Sequence, residues 1–151
     1  MNELELFVSL KVPDNVAITA FHTLHKLGYH NLKNLERSDY YKFKFSGDKN
    51  QFQKKISKVD ILVNANKHKF SFNLETDNQD KKTSVLVQDI NHNQNLLKTL
   101  KERLDFKNLR NVEKGILWTM YFGGNANAKA IATDITKSLL MNENYQKYKI
   151  I

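Results

Sequence analysis

The chain has 151 residues, a formal net charge of +8, 40% hydrophobic and 11% aromatic residues, one proline and no cysteine. That length allows one ordinary domain or two small ones, and the composition is that of a folded chain and not a disordered one. Lack of cysteine excludes a disulfide framework, a thiolate nucleophile and a thiolate zinc site, and no apolar run approaches the roughly 20 residues that span a bilayer. The start, Met1-Asn2-Glu3-Leu4-Glu5, is acidic and lacks the pattern of a secretory signal, so a cytoplasmic location is expected. The positive charge raises a nucleic-acid role. Yet arginine is confined to Arg37, Arg103 and Arg110, and lysines are scattered among many asparagines, as a codon bias toward A and T produces. Phosphate and base recognition favours arginine's bidentate fork.

In chain order, Leu4, Leu6, Val8 and Leu10 alternate with Glu5, Phe7, Ser9 and Lys11, a strand with one aliphatic face. Pro13 and Asp14 signal a helix start, Ala17, Phe21, Leu24 and Leu27 follow at helical spacing, and Gly28 stops the helix. Leu32 to Phe45 reads as a long extended segment. In its second part Tyr41, Phe43 and Phe45 alternate with Lys42 and Lys44, giving one buried and one solvated face. Gly47-Asp48 breaks the segment, with Asp48 as a helix cap. Phe52, Ile56, Val59 and Val63 mark a second helix, and Phe70, Phe72 and Leu74 a final strand. The order is β-α-β-β-α-β when the long segment counts as two strands.

A stretch without apolar residues, Thr76 to Lys82, is the expected linker. The same order then repeats. Val85 and Val87 fall in a strand, Leu97, Leu100 and Leu104 in a helix, and Leu109 to Phe122 in an extended segment. Gly123-Gly124 breaks the chain, Ala128, Ile131, Ile135 and Leu139 make a helix, and Tyr145, Tyr148 and Ile150 a short strand. At a spacing of about 77 the segment from Leu27 to Arg37 lies over Leu104 to Lys114, and Tyr41, Phe43 and Phe45 lie over Trp118, Met120 and Phe122. A one-residue slip would expose that whole face, so the kept parity supports a duplication. With one extra residue placed in the last helix, Asn64, Asn66, Lys69 and Phe70 lie over Asn142, Asn144, Lys147 and Tyr148. Residues 1–75 and 83–151 are therefore expected as two modules joined by a linker at 76–82. A module of about 75 residues has a marginal core of its own, which favours packing of one on the other.

Each half resembles PurS, the small subunit of phosphoribosylformylglycinamidine synthase. The resemblance rests on Phe7-Val8-Ser9-Leu10-Lys11 as the opening strand, on Asp14 at the turn before the first helix, and on Leu24-His25-Lys26-Leu27-Gly28 at its end. Ile61-Leu62-Val63-Asn64-Ala65-Asn66 with Phe70, and Leu139-Leu140-Met141-Asn142-Glu143-Asn144 with Tyr148, are similar to the family's Leu-Leu-Ala-Asn-Pro block and the aromatic of its last strand. Where the family has Val-Arg-x-Gly-Lys, the halves read Leu35-Glu36-Arg37-Ser38-Asp39 and Val112-Glu113-Lys114-Gly115-Ile116. Glu36, Arg37, Asp39, Glu113, Lys114 and Gly115 are therefore the candidate partner-interface residues. The resemblance implies an α+β fold of two modules of ferredoxin-like element order, packed as an intrachain pseudo-dimer. It also implies a non-catalytic role in purine biosynthesis. The family bridges a large synthetase subunit and a glutaminase subunit of an ATP- and glutamine-dependent ligase complex and supports ammonia transfer between them, with no cofactor of its own.

Other chemistry reads weakly. His22 and His25 stand three apart on one helix, a spacing open to metal, but nothing supplies a third ligand, and no metal, cofactor or catalytic set is expected. Glu36 and Glu113 recur between the halves as a general acid and base or, better, as solvated or salt-bridged strand residues. Gly123-Gly124-Asn125-Ala126-Asn127 enters a helix without the lysine of a phosphate loop. The aromatic row Tyr41, Phe43 and Phe45 suits a core better than a base-stacking platform. Two other classes stay open: a tandem small-molecule sensor resembling ACT-type regulatory domains, and an RNA-binding protein.

Overall fold

The computed structural model describes residues 1–74, 82–91, 94–124 and 127–151. Most of the expected linker, residues 76–81, and Asn125-Ala126 of the glycine turn lie outside the described residues. The protein is α+β. Strands β1 (Asn2–Leu10), β2 (Leu32–Phe45), β3 (His68–Ser71), β4 (Lys82–Asp89), β5 (Leu109–Phe122) and β6 (Gln146–Ile150) form one six-stranded sheet in the order β3-β1-β2-β5-β4-β6. Among the described residues the helices are α1 (Asn15–Lys26), α2 (Lys49–Ile56), α3 (Asn95–Glu102) and α4 (Ala128–Ile135), the last continued by a π-helical turn, Thr136–Leu140. None is long and apolar enough to cross a membrane.

Four local expectations change. The third strand ends at Ser71 and the last begins at Gln146, so Phe72, Leu74 and Tyr145 lie outside the strands expected to hold them. Each long extended segment is a single 14-residue strand, because no glycine or proline interrupts it before position 45 or, in the second, at a point where the chain turns. The order in each half is therefore β-α-β-α-β. Helix α2 ends at Ile56 and α3 at Glu102, so Val59, Val63 and Leu104 lie beyond the helices assigned to them. Val59 and Val63 are nevertheless buried, in turns whose N–H groups bond back to Ile56 and Val59 carbonyls. Finally, the caps Asp48 and Asn127 stand 79 apart while Asn64 and Asn142 stand 78 apart. Relative to the 77 that separates β2 from β5, two residues enter the strand-to-helix turn and one drops out later, so the insertion does not lie in the last helix.

The ladders recur. Strand β1 meets β2 and β3 antiparallel, with Val8 opposite Asp39 and Phe70; β4 meets β5 and β6 antiparallel, with Val87 opposite Ile116 and Tyr148. Asp39 and Ile116 differ by 77, and Phe70 and Tyr148 by 78, so both halves use the same register. The turn before the last strand recurs bond for bond. Asn64 Oδ1 accepts from Asn66 N–H, and Asn64 O from Lys67 and His68 N–H; Asn142 repeats this with Asn144, Tyr145 and Gln146. In both, the asparagine N–H donates to the side chain four residues on, His68 Nδ1 or Gln146 Oε1, at 3.0 Å. These asparagines supply the turn without proline's fixed φ.

Two compact units result, and each draws on both halves. Unit 1 comprises Met1–Lys11, Asp39–Leu74 and Asn91–Lys114. Its core joins Leu4, Leu6 and Val8 of β1, Tyr41, Phe43 and Phe45 of β2, and Phe52 and Ile56 of α2 to Leu100, Phe106 and Leu109 from the second half. Phe45 stacks on Phe52 with ring centroids 3.9 Å apart. Unit 2 comprises Val12–Ser38, Glu75–Ile90 and Gly115–Ile151. Its core joins Val85, Val87, Trp118, Met120, Phe122, Ala132 and Ile135 to Ala17, Leu24, Leu32 and Leu35 from the first half. The first helix of each half thus packs with the strands of the other. Asp14 Oδ1 caps α1 by accepting from Val16 and Ala17 N–H, and Asp48 caps α2 through Asn50 and Gln51.

Candidate interface residues on the two long strands

The six candidate residues sit in the middle of β2 and β5. Asp39, Glu113 and Lys114 belong to unit 1, and Glu36, Arg37 and Gly115 to unit 2. Glu36 and Lys114 are exposed, Arg37, Asp39 and Glu113 are half-buried, and Gly115 is buried.

In unit 2, Arg37 is engaged internally. Its Nε and a terminal nitrogen donate to the two oxygens of Asp14, at 2.9 and 3.2 Å, in a bidentate pair with side-chain exposures of 25% and 16%. The carboxylate that caps α1 therefore also fixes the arginine. Glu36 Oε2 accepts from Tyr121 Oη at 3.2 Å, a bond from the second half to the first. Gly115 lies against β4 so closely that a Cβ there would stand 2.8 Å from the Val87 carbonyl oxygen and from Gln88 Cγ.

In unit 1, acidic groups gather about a tyrosine that sequence reasoning passed over. Tyr40 points to the face opposite Tyr41, packs on Phe7 at 5.5 Å between centroids, and donates its hydroxyl to Glu5 Oε2 at 2.7 Å. Burial above all raises its pKa far above the ordinary tyrosine value, helped by that bond and by the charges of Glu5, Glu113 and Glu3. Tyr41 is pushed up to about 12, first by burial and then by the charge of Asp39. The Tyr-Tyr doublet was the available signal: in a strand, neighbours face opposite ways, and only one of the two fits the aromatic row.

The remaining candidates are placed as follows. His22 is exposed, while His25 is half-buried, with Nε2 2.7 Å from the Leu32 carbonyl oxygen. Among the described residues no group of three or more His, Cys, Asp or Glu side chains is placed to hold a metal. The row Tyr41, Phe43 and Phe45 is 0–6% exposed, inside the unit 1 core. In unit 2 an open groove of about 490 Å³ runs along α1, lined by Val16, Thr19, Ala20, Trp118, Leu139 and Leu140 among others.

Fold and site together define an α+β protein whose two long strands carry partly engaged polar side chains at their centres. No protein-family model matches the chain, and no curated protein matches it.

Proposed function

We propose that the chain is a tandem form of the PurS module, a non-catalytic structural subunit of a phosphoribosylformylglycinamidine synthase that bridges the large synthetase and the glutaminase. The observation that carries this reading is the reciprocity of the halves. Ser46 N–H of the first donates to Asn108 O of the second at 3.1 Å, and Gly123 N–H of the second donates to Asn31 O of the first at 2.9 Å. Ser46 and Gly123 differ by 77, as do Asn31 and Asn108. Two copies of one module exchanging their first helices account for this, and fusion makes the exchange intramolecular, at an effective concentration that reaches roughly millimolar for a short linker. The halves are then a pseudo-dimer of residues 1–75 and 83–151.

Glu36 and Lys114 are the exposed members of the candidate set and the ones a partner would meet, Glu36 through the oxygen that Tyr121 does not use; Arg37 and Gly115 serve the fold, Arg37 through Asp14 and Gly115 through its contact with β4. The test is copurification of the tagged chain with a large synthetase and a glutaminase, followed by native mass spectrometry. One tandem chain per synthetase is expected, and failure to retain either subunit removes the reading. The groove along α1 favours a second reading, a tandem small-molecule sensor of the ACT type. Thermal stabilisation by an amino acid or nucleotide, without copurifying subunits, would select it. An RNA role loses its stacking platform, since the aromatic row is buried.

A further inference from the structure

The two units use one contact in two opposite chemistries. In both, the aromatic that follows the first helix of one half meets the penultimate residue of the second helix of the other half. Tyr29 and Phe106 are each three residues ahead of a long strand, and Lys55 and Asp134 each stand one residue from the end of an eight-residue helix. The backbone confirms the pairing of positions. Gly28 has φ 103° and Asp105 has φ 62°, Asp105 being the one non-glycine residue with positive φ among the described residues, and each precedes its aromatic.

In unit 1, Lys55 of the first half sits over the Phe106 ring of the second, with Nζ 4.2 Å from the centroid, and donates to the Asp105 carbonyl oxygen at 2.6 Å. A cation over a ring face is favourable because the face is negative. In unit 2, Tyr29 of the first half donates its hydroxyl to Asp134 Oδ2 of the second at 2.7 Å, and Ser138 Oγ lies 3.0 Å away. The Ser138 bond, the largest influence on that hydroxyl, favours its ionised form, but Asp134 and burial together outweigh it and raise the tyrosine's pKa. Each half therefore carries one member of each pair: the first has the hydroxyl and the cation, the second the bare ring and the carboxylate.

We infer that the two halves have become complementary, so that each first-helix loop is recognised by the unlike half and not by a second copy of its own half. Exchange between two first halves would set Tyr29 beside Lys55, an ammonium that cannot accept its hydroxyl proton as Asp134 does. Exchange between two second halves would set a carboxylate against the negative face of Phe106 with no donor. A further side-chain bond between halves, Tyr121 to Glu36, does not discriminate, because Glu113 repeats the acid at the matching position. The inference uses the repeat alone and stands whether or not the chain serves purine synthesis.

The full-length chain can be made to carry the like-with-like contacts. Exchanging only the helix residues, Lys55→Asp with Asp134→Lys, leaves composition and net charge unchanged and mispairs both loops. Adding Tyr29→Phe and Phe106→Tyr restores both pairs with their places interchanged. Urea unfolding should show the double variant with a folded-to-unfolded ratio about 5- to 30-fold below that of the unaltered chain, and the quadruple variant back near it. Because Lys55 and Asp134 are exposed, the double variant is expected to fold, and circular dichroism before denaturation checks that. A double variant as stable as the original chain overturns the inference. So does a quadruple variant no more stable than the double.

Discussion

Replacing Gly115 by alanine tests whether this glycine serves the fold or a partner. The added Cβ would lie 2.8 Å from the Val87 carbonyl oxygen, 2.8 Å from Gln88 Cγ and 3.0 Å from Leu86 Cδ1. Ordinary carbon contacts begin near 3.5 Å, so roughly half an ångström or more must be found. Gln88 can swing its side chain aside. Val87 cannot move its carbonyl freely, because it is held in the β4–β5 ladder opposite Ile116, and Leu86 is only 2% exposed. Overpacking of this kind costs about 1–3 kcal/mol. Alanine recovers about 0.5–1 kcal/mol by losing less conformational entropy than glycine on folding. From the middle of each range overpacking wins, with a net loss of about 1 kcal/mol. At a urea slope of about 2 kcal/mol/M the unfolding midpoint falls by roughly 0.5 M. Gly28→Ala is the informative control. Nothing lies within 4 Å of its Cβ position, so any loss there comes from holding φ at 103°. A Gly115→Ala midpoint equal to or above that of the unaltered chain would refute the steric account and return Gly115 to the candidate interface.

Two further outcomes follow from single contacts. Asp14→Ala removes both the α1 cap and Arg37's partner and should cost about 1–3 kcal/mol in urea unfolding, whereas Asp14→Asn keeps an accepting oxygen and should cost less than half as much; equal losses would separate the cap from the arginine. At high pH, Tyr41 keeps its proton in the folded chain to about 12 but loses it near 10 when unfolded, so its contribution is intact below pH about 10 and drains away as the pH climbs through about 12. Stability should fall in that window by up to about 1.4 kcal/mol per pH unit for each such tyrosine, and Tyr41→Phe should flatten the fall; an unchanged slope in the variant would remove Tyr41 as its cause.

Much of the architecture was legible because it follows from local rules. Alternation named the buried row Tyr41, Phe43 and Phe45 and its counterpart Trp118, Met120 and Phe122, and the caps at Asp14 and Asp48 announced themselves by residue type. The packing of each half's first helix in a core built largely by the other half was not legible. Periodicity tells that Leu24 and Leu100 lie on apolar faces, but either face fits either core, and only coordinates assign the partner. The surroundings of the candidate residues were hidden for the same reason. Arg37 was read from its place in a motif, while its environment is set by Asp14, 23 residues away in sequence. Asp105 shows the limit of residue type as a signal, for it takes the positive φ that the repeat assigns to Gly28. Asp tolerates that conformation better than most side chains.

The mixed make-up of the two cores sets an order of events during synthesis. The aliphatic face of β1 and the aromatics of β2 leave the ribosome early, yet the core they belong to also contains Leu100, Phe106 and Leu109. Helix α1 waits still longer, for Trp118, Met120 and Ile135. A nascent chain stalled after its first half therefore presents two unfinished surfaces at once. Such intermediates are the ones that chaperones shield, and a stop codon ahead of Leu100 deprives both cores together, whereas one after Lys114 spares every residue of unit 1.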